Sequence, residues 1–240
     1  MVNIDTVYQR VLAFANKEQR GYITPQEFNL FANQAQMEIF EQYFYDINQY
    51  NRIPGNDTEY SDTLNLLNEK IRIFEVEGGA TGFLATVSGA MQIPDEIYKL
   101  GTVRVGSAQV EMLTSKEFDV ARLSPLTAPT LTRPIGYLTQ RGLYIATGAS
   151  TFVHTGNTTN LINLSYITRP TDVAWGYFVI SDKALYDSGV GRTTHFELHQ
   201  AEETELVYKI LKFAGVAMRR EDIMKVGQGL ESAEVQKQKQ

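Results

Sequence analysis

Two histidines four residues apart, in His195-Phe196-Glu197-Leu198-His199, come nearest to metal chemistry in this sequence, because such a pair on a helix shares one face. A metal site needs three or four convergent ligands, however, and the helical pattern starts after the pair, with His199 where a cap belongs and His195 in the extended segment before it. Nucleophilic catalysis has less support. The chain has no cysteine and no G-x-S-x-G elbow, and His154 lies in the turn Val153-His154-Thr155-Gly156 without a nucleophile signature beside it. Gly78-Gly79-Ala80-Thr81-Gly82 lacks the Lys-Ser/Thr ending of a phosphate loop and reads as a hairpin or linker. The acidic pairs Asp95-Glu96 and Glu202-Glu203 stand at expected helix starts, where the helix dipole accounts for them. No catalytic constellation is legible, so no enzyme activity, cofactor or metal is expected.

Composition narrows the remaining classes. At 240 residues, 43% hydrophobic and 21% charged, the chain can bury a sizeable core in one large domain or two modest ones. The lack of cysteine removes disulfides and thiolate sites and leaves the redox compartment open. No apolar run approaches a membrane span, and Met1-Val2-Asn3-Ile4-Asp5 is unlike a signal peptide, so a soluble chain made in the cytosol is expected. A net charge of −6 argues against a sequence-wide grip on nucleic acid, which needs cations to displace counterions. An acidic surface still suits a wall past which DNA slides.

The element that must organise the chain is one long helix over Thr24 to Asn51, about seven turns and roughly 40 Å. Thr24-Pro25-Gln26-Glu27 is a capping box with proline at the first helical position, and nothing breaks the helix before Pro54-Gly55. Phe28, Phe31, Ala32, Ala35, Ile39, Tyr43 and Tyr50 share one face, while Leu30, Met37, Phe40 and Phe44 form a second apolar strip nearly opposite. Gln34, Glu38, Glu41, Gln42 and Gln49 leave only a narrow polar sector between them. Such a helix needs two neighbours, either both from its own chain or one from a second copy.

Asp5 to Arg20 reads as a preceding helix stopped at Gly21, and a third helix starts at Ser61 or Asp62 and ends before Gly78-Gly79. From Ala80 the period becomes alternating. Strands are expected at Phe83–Val87, at Leu100–Val105 and Gln109–Leu113 around Gly106-Ser107, at Ile135–Thr139 and Leu143–Ala146 around Arg141-Gly142, and at Asn160–Thr168. Ile93 to Tyr98 reads as a helical turn, and Thr114-Ser115-Lys116-Glu117 as a second capping box opening a short helix. Ser124 to Pro134 holds three prolines and reads as an ordered loop, and residues 169–194, with the only tryptophan, read as irregular. Helical period returns from Gln200 with Leu206, Val207, Ile210, Phe213, Ala214 and Ala217 on one stripe, and a further helix is expected over Arg219 to Glu234. The expected fold class is α+β: a helical bundle from N- and C-terminal helices (1–79 and 195–240, the latter ending in a docking tail) with an inserted antiparallel β-domain (80–194).

The segment Ser124-Pro125-Leu126-Thr127-Ala128-Pro129-Thr130, the strand ending Leu164-Ser165-Tyr166-Ile167-Thr168-Arg169-Pro170, then Trp175-Gly176-Tyr177, then Phe196-Glu197-Leu198-His199 leading into Glu202-Glu203-Thr204-Glu205-Leu206-Val207, together resemble the structural proteins of podovirus-like tailed bacteriophages, including the crAss-like group. The resemblance covers most of residues 80–240. It implies a head–tail connector: a portal adaptor or neck ring protein of the virion, assembled in the host cytoplasm as a closed ring of twelve copies that joins capsid to tail. Its implied partners are itself, the portal protein and the adjacent ring or tail proteins, with genomic DNA passing unbound through the channel, no membrane, no enzyme activity and no cofactor. Another tail or internal virion protein is the alternative, and a small-molecule enzyme a more distant one. On this reading Leu30, Met37, Phe40, Phe44, Pro125, Leu126, Pro129, Trp175 and Tyr177 are expected at subunit interfaces, and Arg219, Arg220 and Lys225 at a docking arm.

Overall fold

Helix starts in this chain are written by side chains that replace missing backbone partners. In the computed structural model, which describes residues 1–16, 23–52, 58–79, 86–87, 90–91, 93, 95–148, 162–181, 183–189, 191–217 and 228–233, both expected capping boxes form. The Thr24 amide donates to Glu27 at 3.0 Å while the Glu27 amide donates to the Thr24 hydroxyl at 3.3 Å, which opens the long helix α2, Pro25–Arg52. The backbone and hydroxyl bonds from Thr24 hold the Glu27 carboxyl below its usual range. Thr114 and Glu117 do the same for a short helix in the second half of the chain.

The protein is α+β. Two compact units divide it, residues 1–73 with 170–240 and residues 74–169. The expected insertion over 80–194 therefore has different limits: residues 170–194 belong with the helices and residues 74–79 with the sheets. In the first unit α1 (Ile4–Asn16), α2 and α3 (Thr58–Arg72) precede α5 (Glu203–Ala217), which packs on both α1 and α2, while α3 packs on α2. The core is built from one face of each: Val7 and Val11 of α1, Phe28, Ala32, Ala35 and Ile39 of α2, Leu67 and Ile71 of α3, and Leu206, Ile210 and Ala214 of α5. A helical segment at 228–233 follows.

The second unit stacks two sheets and a helix. One sheet runs β1 (Glu75–Gly79), β9 (Ile162–Thr168), β4 (Ile97–Val105), β5 (Ala108–Gln109), all antiparallel. The other runs β2 (Thr86–Val87), β3 (Ala90–Met91), β8 (Gly142–Ala146), β7 (Ile135–Thr139), β6 (Glu111–Met112). The last pair, Glu111 with Ile135 and Met112 with Gly136, is parallel, a departure from the all-antiparallel expectation. Parallel pairing needs a crossover, and α4 (Ser115–Leu123) with the proline-rich loop supplies it. Alternation sorts β8: Leu143 and Ile145 meet Val103, Val105, Ile162 and Leu164 of the other sheet, whereas Ala146 joins Ile135 under Phe118 of α4. Close approach demands glycine at Gly101, where a Cβ would lie 2.8 Å from the Ser165 carbonyl oxygen.

Two expectations fail locally. In place of the expected helical turn, Asp95-Glu96 is a turn leading into β4, because the Glu96 carbonyl is taken by the Arg169 amide at 2.9 Å and the chain is drawn into the sheet. Residues 177–186, expected to be irregular, form a two-stranded hairpin of β10 (Tyr177–Ile180) and β11 (Lys183–Tyr186). Its two-residue connection includes Ser181 at φ 50°, in the left-handed region that tight hairpins use.

Candidate assembly surfaces

Three side-chain amides on α2 do the work of a neighbouring strand. Asn29, Asn33 and Gln36 climb the helix in steps of four and three residues, about 6 and 4.5 Å, the first near and the second short of the roughly 6.6 Å two-residue step of an extended chain. Against them lies the segment 171–175. The Trp175 amide donates to the Asn29 side-chain oxygen at 2.8 Å, the Val173 amide to that of Asn33 at 2.7 Å, and the Asn33 side-chain amide donates to the Val173 carbonyl at 3.0 Å. Gln36 donates to the Thr171 carbonyl at 2.8 Å and accepts from the Glu197 amide at 3.3 Å. Buried backbone groups need partners, and here a helix face supplies them, which is why residues 170–194 fold with the helices. The spacing of Asn29, Asn33 and Gln36 was the available signal for this contact, and sequence reasoning did not use it.

Trp175 ends this strap of residues 171–175. It is buried, its ring lies 4.3 Å from that of Tyr8 and stacks with Tyr177 and Tyr186 at 5.8 Å each, and its Nε1 donates to Asp5 at 2.9 Å. The expected subunit-interface role for Trp175 is therefore corrected: it is an internal anchor. Phe40 is corrected likewise, being fully buried in the helical unit with Phe44 edge-on at 5.1 Å. Phe44 and Met37 are half-buried, and Leu30 alone of that strip is well exposed, at 66%. Pro129 is buried in its loop, whereas Pro125 and Leu126 face outward. Arg219, Arg220, Lys225 and His154 lie outside the described residues.

The histidines have separate jobs. His199 caps the 3₁₀ turn Gln200–Glu202 by accepting from the Ala201 amide at 3.2 Å, and His195 accepts from the Ile4 amide at 3.4 Å. Among the described residues no group of three His, Cys, Asp or Glu side chains could hold a metal. No described helix is long and apolar enough to cross a membrane.

Among the described residues, exposed apolar side chains gather on two surfaces of interest. The first is the β10–β11 hairpin, an arm rooted by Trp175 stacking on Tyr177 and Tyr186. Its base is closed by the Asp187 amide donating to the Gly176 carbonyl at 2.9 Å and by the Arg192–Asp187 ion pair at 2.7 Å. Register places Phe178, Ile180, Lys183 and Leu185 on one face. Phe178, Val179, Ile180 and Leu185 are all exposed, Val179 at 62%. The second surface is α4 with the proline-rich loop. Thr127 donates to the Ala121 carbonyl at 3.2 Å, Thr130 and Arg133 exchange backbone bonds at 3.1 Å, and Arg133 pairs with Glu111 at 3.3 Å, so the loop is tied down. Leu126 nonetheless stands 93% exposed, beside exposed Val120, Leu123 and Leu131. A groove of about 470 Å³ runs along α4. The chain matches no family model and no curated protein. Its surfaces therefore have to be read from their own chemistry, and that chemistry is apolar contact held on rigid supports.

A buried charge cluster completes the helical unit. Lys209, almost fully buried, reaches Glu231 at 3.0 Å, Glu38 at 3.3 Å and Glu205 at 3.6 Å, and donates to Gln42 at 3.3 Å. Lys70 pairs with Glu202, and Lys212 with Glu231 at 3.1 Å. Burial pushes the Glu205 carboxyl up to about 7, with the nearby Glu202 charge adding to it. Burial alone would lower Lys209, but Glu231, Glu38 and Glu205 outweigh it and hold the ammonium above its ordinary value.

Proposed function

We propose that the chain is a structural virion protein of the head–tail connector of a tailed bacteriophage. Copies form a closed ring, twelve by the resemblance, below the portal, joining capsid to tail around the DNA channel. In that ring the helical unit is a bundle closed by N- and C-terminal helices, and the sheets are its inserted domain. The observation that carries the reading is the pair of rigidly supported apolar surfaces, the arm at Phe178–Ile180 and the loop at Leu126. Exposed apolar area on well-anchored supports is costly in water at about 25 cal/mol per Å², and a neighbouring copy recovers that cost. The acidic net charge supports a conduit that does not hold DNA.

Electron microscopy and native mass spectrometry of the purified protein test this. Closed rings of uniform copy number are expected, and they should bind portal particles. A monomer at every accessible concentration, or a trimer, overturns the proposal in favour of another class of protein.

A further inference from the structure

We propose that the β10–β11 arm of one copy seats in the α4 groove of the next copy, and that this contact repeats head to tail around the assembly. The inference deepens the self-assembling reading above and rests on it. The arm offers an apolar ridge of Phe178, Ile180 and Leu185 with one cation, Lys183, on the same face. Lys183 is exposed and has no ion pair among the described residues. The groove offers the complement. Leu113, Val120, Ala121 and Ile135 give it an apolar lining, and Glu117 stands on its wall. The Thr114 amide and hydroxyl fix that carboxylate at 2.9 and 2.7 Å. Of the other charges at the rim, Arg133 is already met by Glu111 at 3.3 Å, and Lys116 adjoins Glu117 in the chain.

Ridge and hollow differ, so the contact repeated head to tail is heterologous and generates a ring or a filament. A reciprocal exchange of two arms would instead close a two-fold dimer, which native mass spectrometry tells from a ring and which would overturn the head-to-tail repeat. A stable interface needs about 800 Å² per partner, more than two four-residue strands supply. One arm in one groove is therefore weak. In a closed set every copy uses both its arm and its groove, and the second engagement becomes intramolecular.

The chain has no cysteine, so Ile180→Cys and Val120→Cys each introduce a sole thiol at an exposed position. Tagged I180C and untagged V120C chains are mixed, assembled and treated with a short bifunctional thiol reagent. A control mixture pairs I180C with Asp62→Cys, an exposed position on α3. The tagged–untagged heterodimer should exceed that of the control by ~10-fold or more, as expected for thiols held at high effective concentration. Intact assemblies with heterodimer no higher than the control overturn the arm-in-groove contact and leave the connector reading standing. Dominant I180C homodimers mean that like surfaces meet, and overturn it too. If the wild-type chain does not assemble, both readings fall.

Discussion

Asn33 shows how much one polar side chain can hold. Its oxygen and amide satisfy both backbone groups of Val173, which is buried, so replacing it strands a donor and an acceptor away from water. Asn33→Leu is expected to cost about 2–6 kcal/mol, since each of the two unsatisfied groups costs about 1–3. Urea unfolding measures this directly. A loss below about 0.5 kcal/mol, the size of an ordinary surface change, would mean the strap is held by Trp175 packing alone. The same residue scale explains why Trp175 is no free interface aromatic: its N–H has a partner in Asp5 and its ring three aromatic neighbours.

Among the described elements, α5 and the turn before it hold the buried charged side chains, Glu202, Glu205 and Lys209. Four carboxylates, Glu38, Glu202, Glu205 and Glu231, face three ammonium groups, Lys70, Lys209 and Lys212, so one carboxyl retains a proton most readily. With Glu205 raised to about 7 from an ordinary 4.5, the folded state binds more protons than the unfolded state between those values. Stability therefore falls as pH rises from 4.5 to 7, by about 3 kcal/mol from this group at 1.36 per unit. The lowered carboxyls, Glu27, Glu117, Asp187 and Glu231, act in the opposite sense and below that window. Urea midpoints at pH 5 and 7.5 should thus differ in the wild type. They should converge in Glu205→Gln, and an unchanged difference there would place the proton elsewhere.

At the scale of the whole molecule, the long helix α2 finds more of its neighbours at home than its two apolar faces suggested. One face meets the other helices, and Phe40, from the opposite strip, is buried as well. Phe40→Ala is expected to cost about 3–5 kcal/mol in the monomer, the range for a buried aromatic. Leu30→Glu should change monomer stability by no more than about 0.5 kcal/mol, as at other exposed positions. Calorimetry separates the two. Equal losses would mean that Leu30 too belongs to the core. Assembly is the matching readout for the outer surfaces, with Phe178→Asp and Leu126→Asp expected to abolish rings while the monomer melts as before.

What the sequence determined by itself was local. Both capping boxes, the extent of α2, the hairpins around Gly106-Ser107 and Arg141-Gly142, and His199 as a cap follow from short-range hydrogen bonding and periodicity, which neighbouring residues contain in full. What only the tertiary structure decided was partnership at long range. Asn29 bonds a residue 146 positions away, Lys209 draws Glu38 from 171 positions away, and β6 pairs in parallel with β7 across α4. The continuous apolar run at 177–180 and the amide spacing on α2 were visible, yet a polar or apolar residue does not state whom it will meet. Burial decides that, since an amide or a phenylalanine is satisfied equally by any correctly placed partner, and placement belongs to the folded chain.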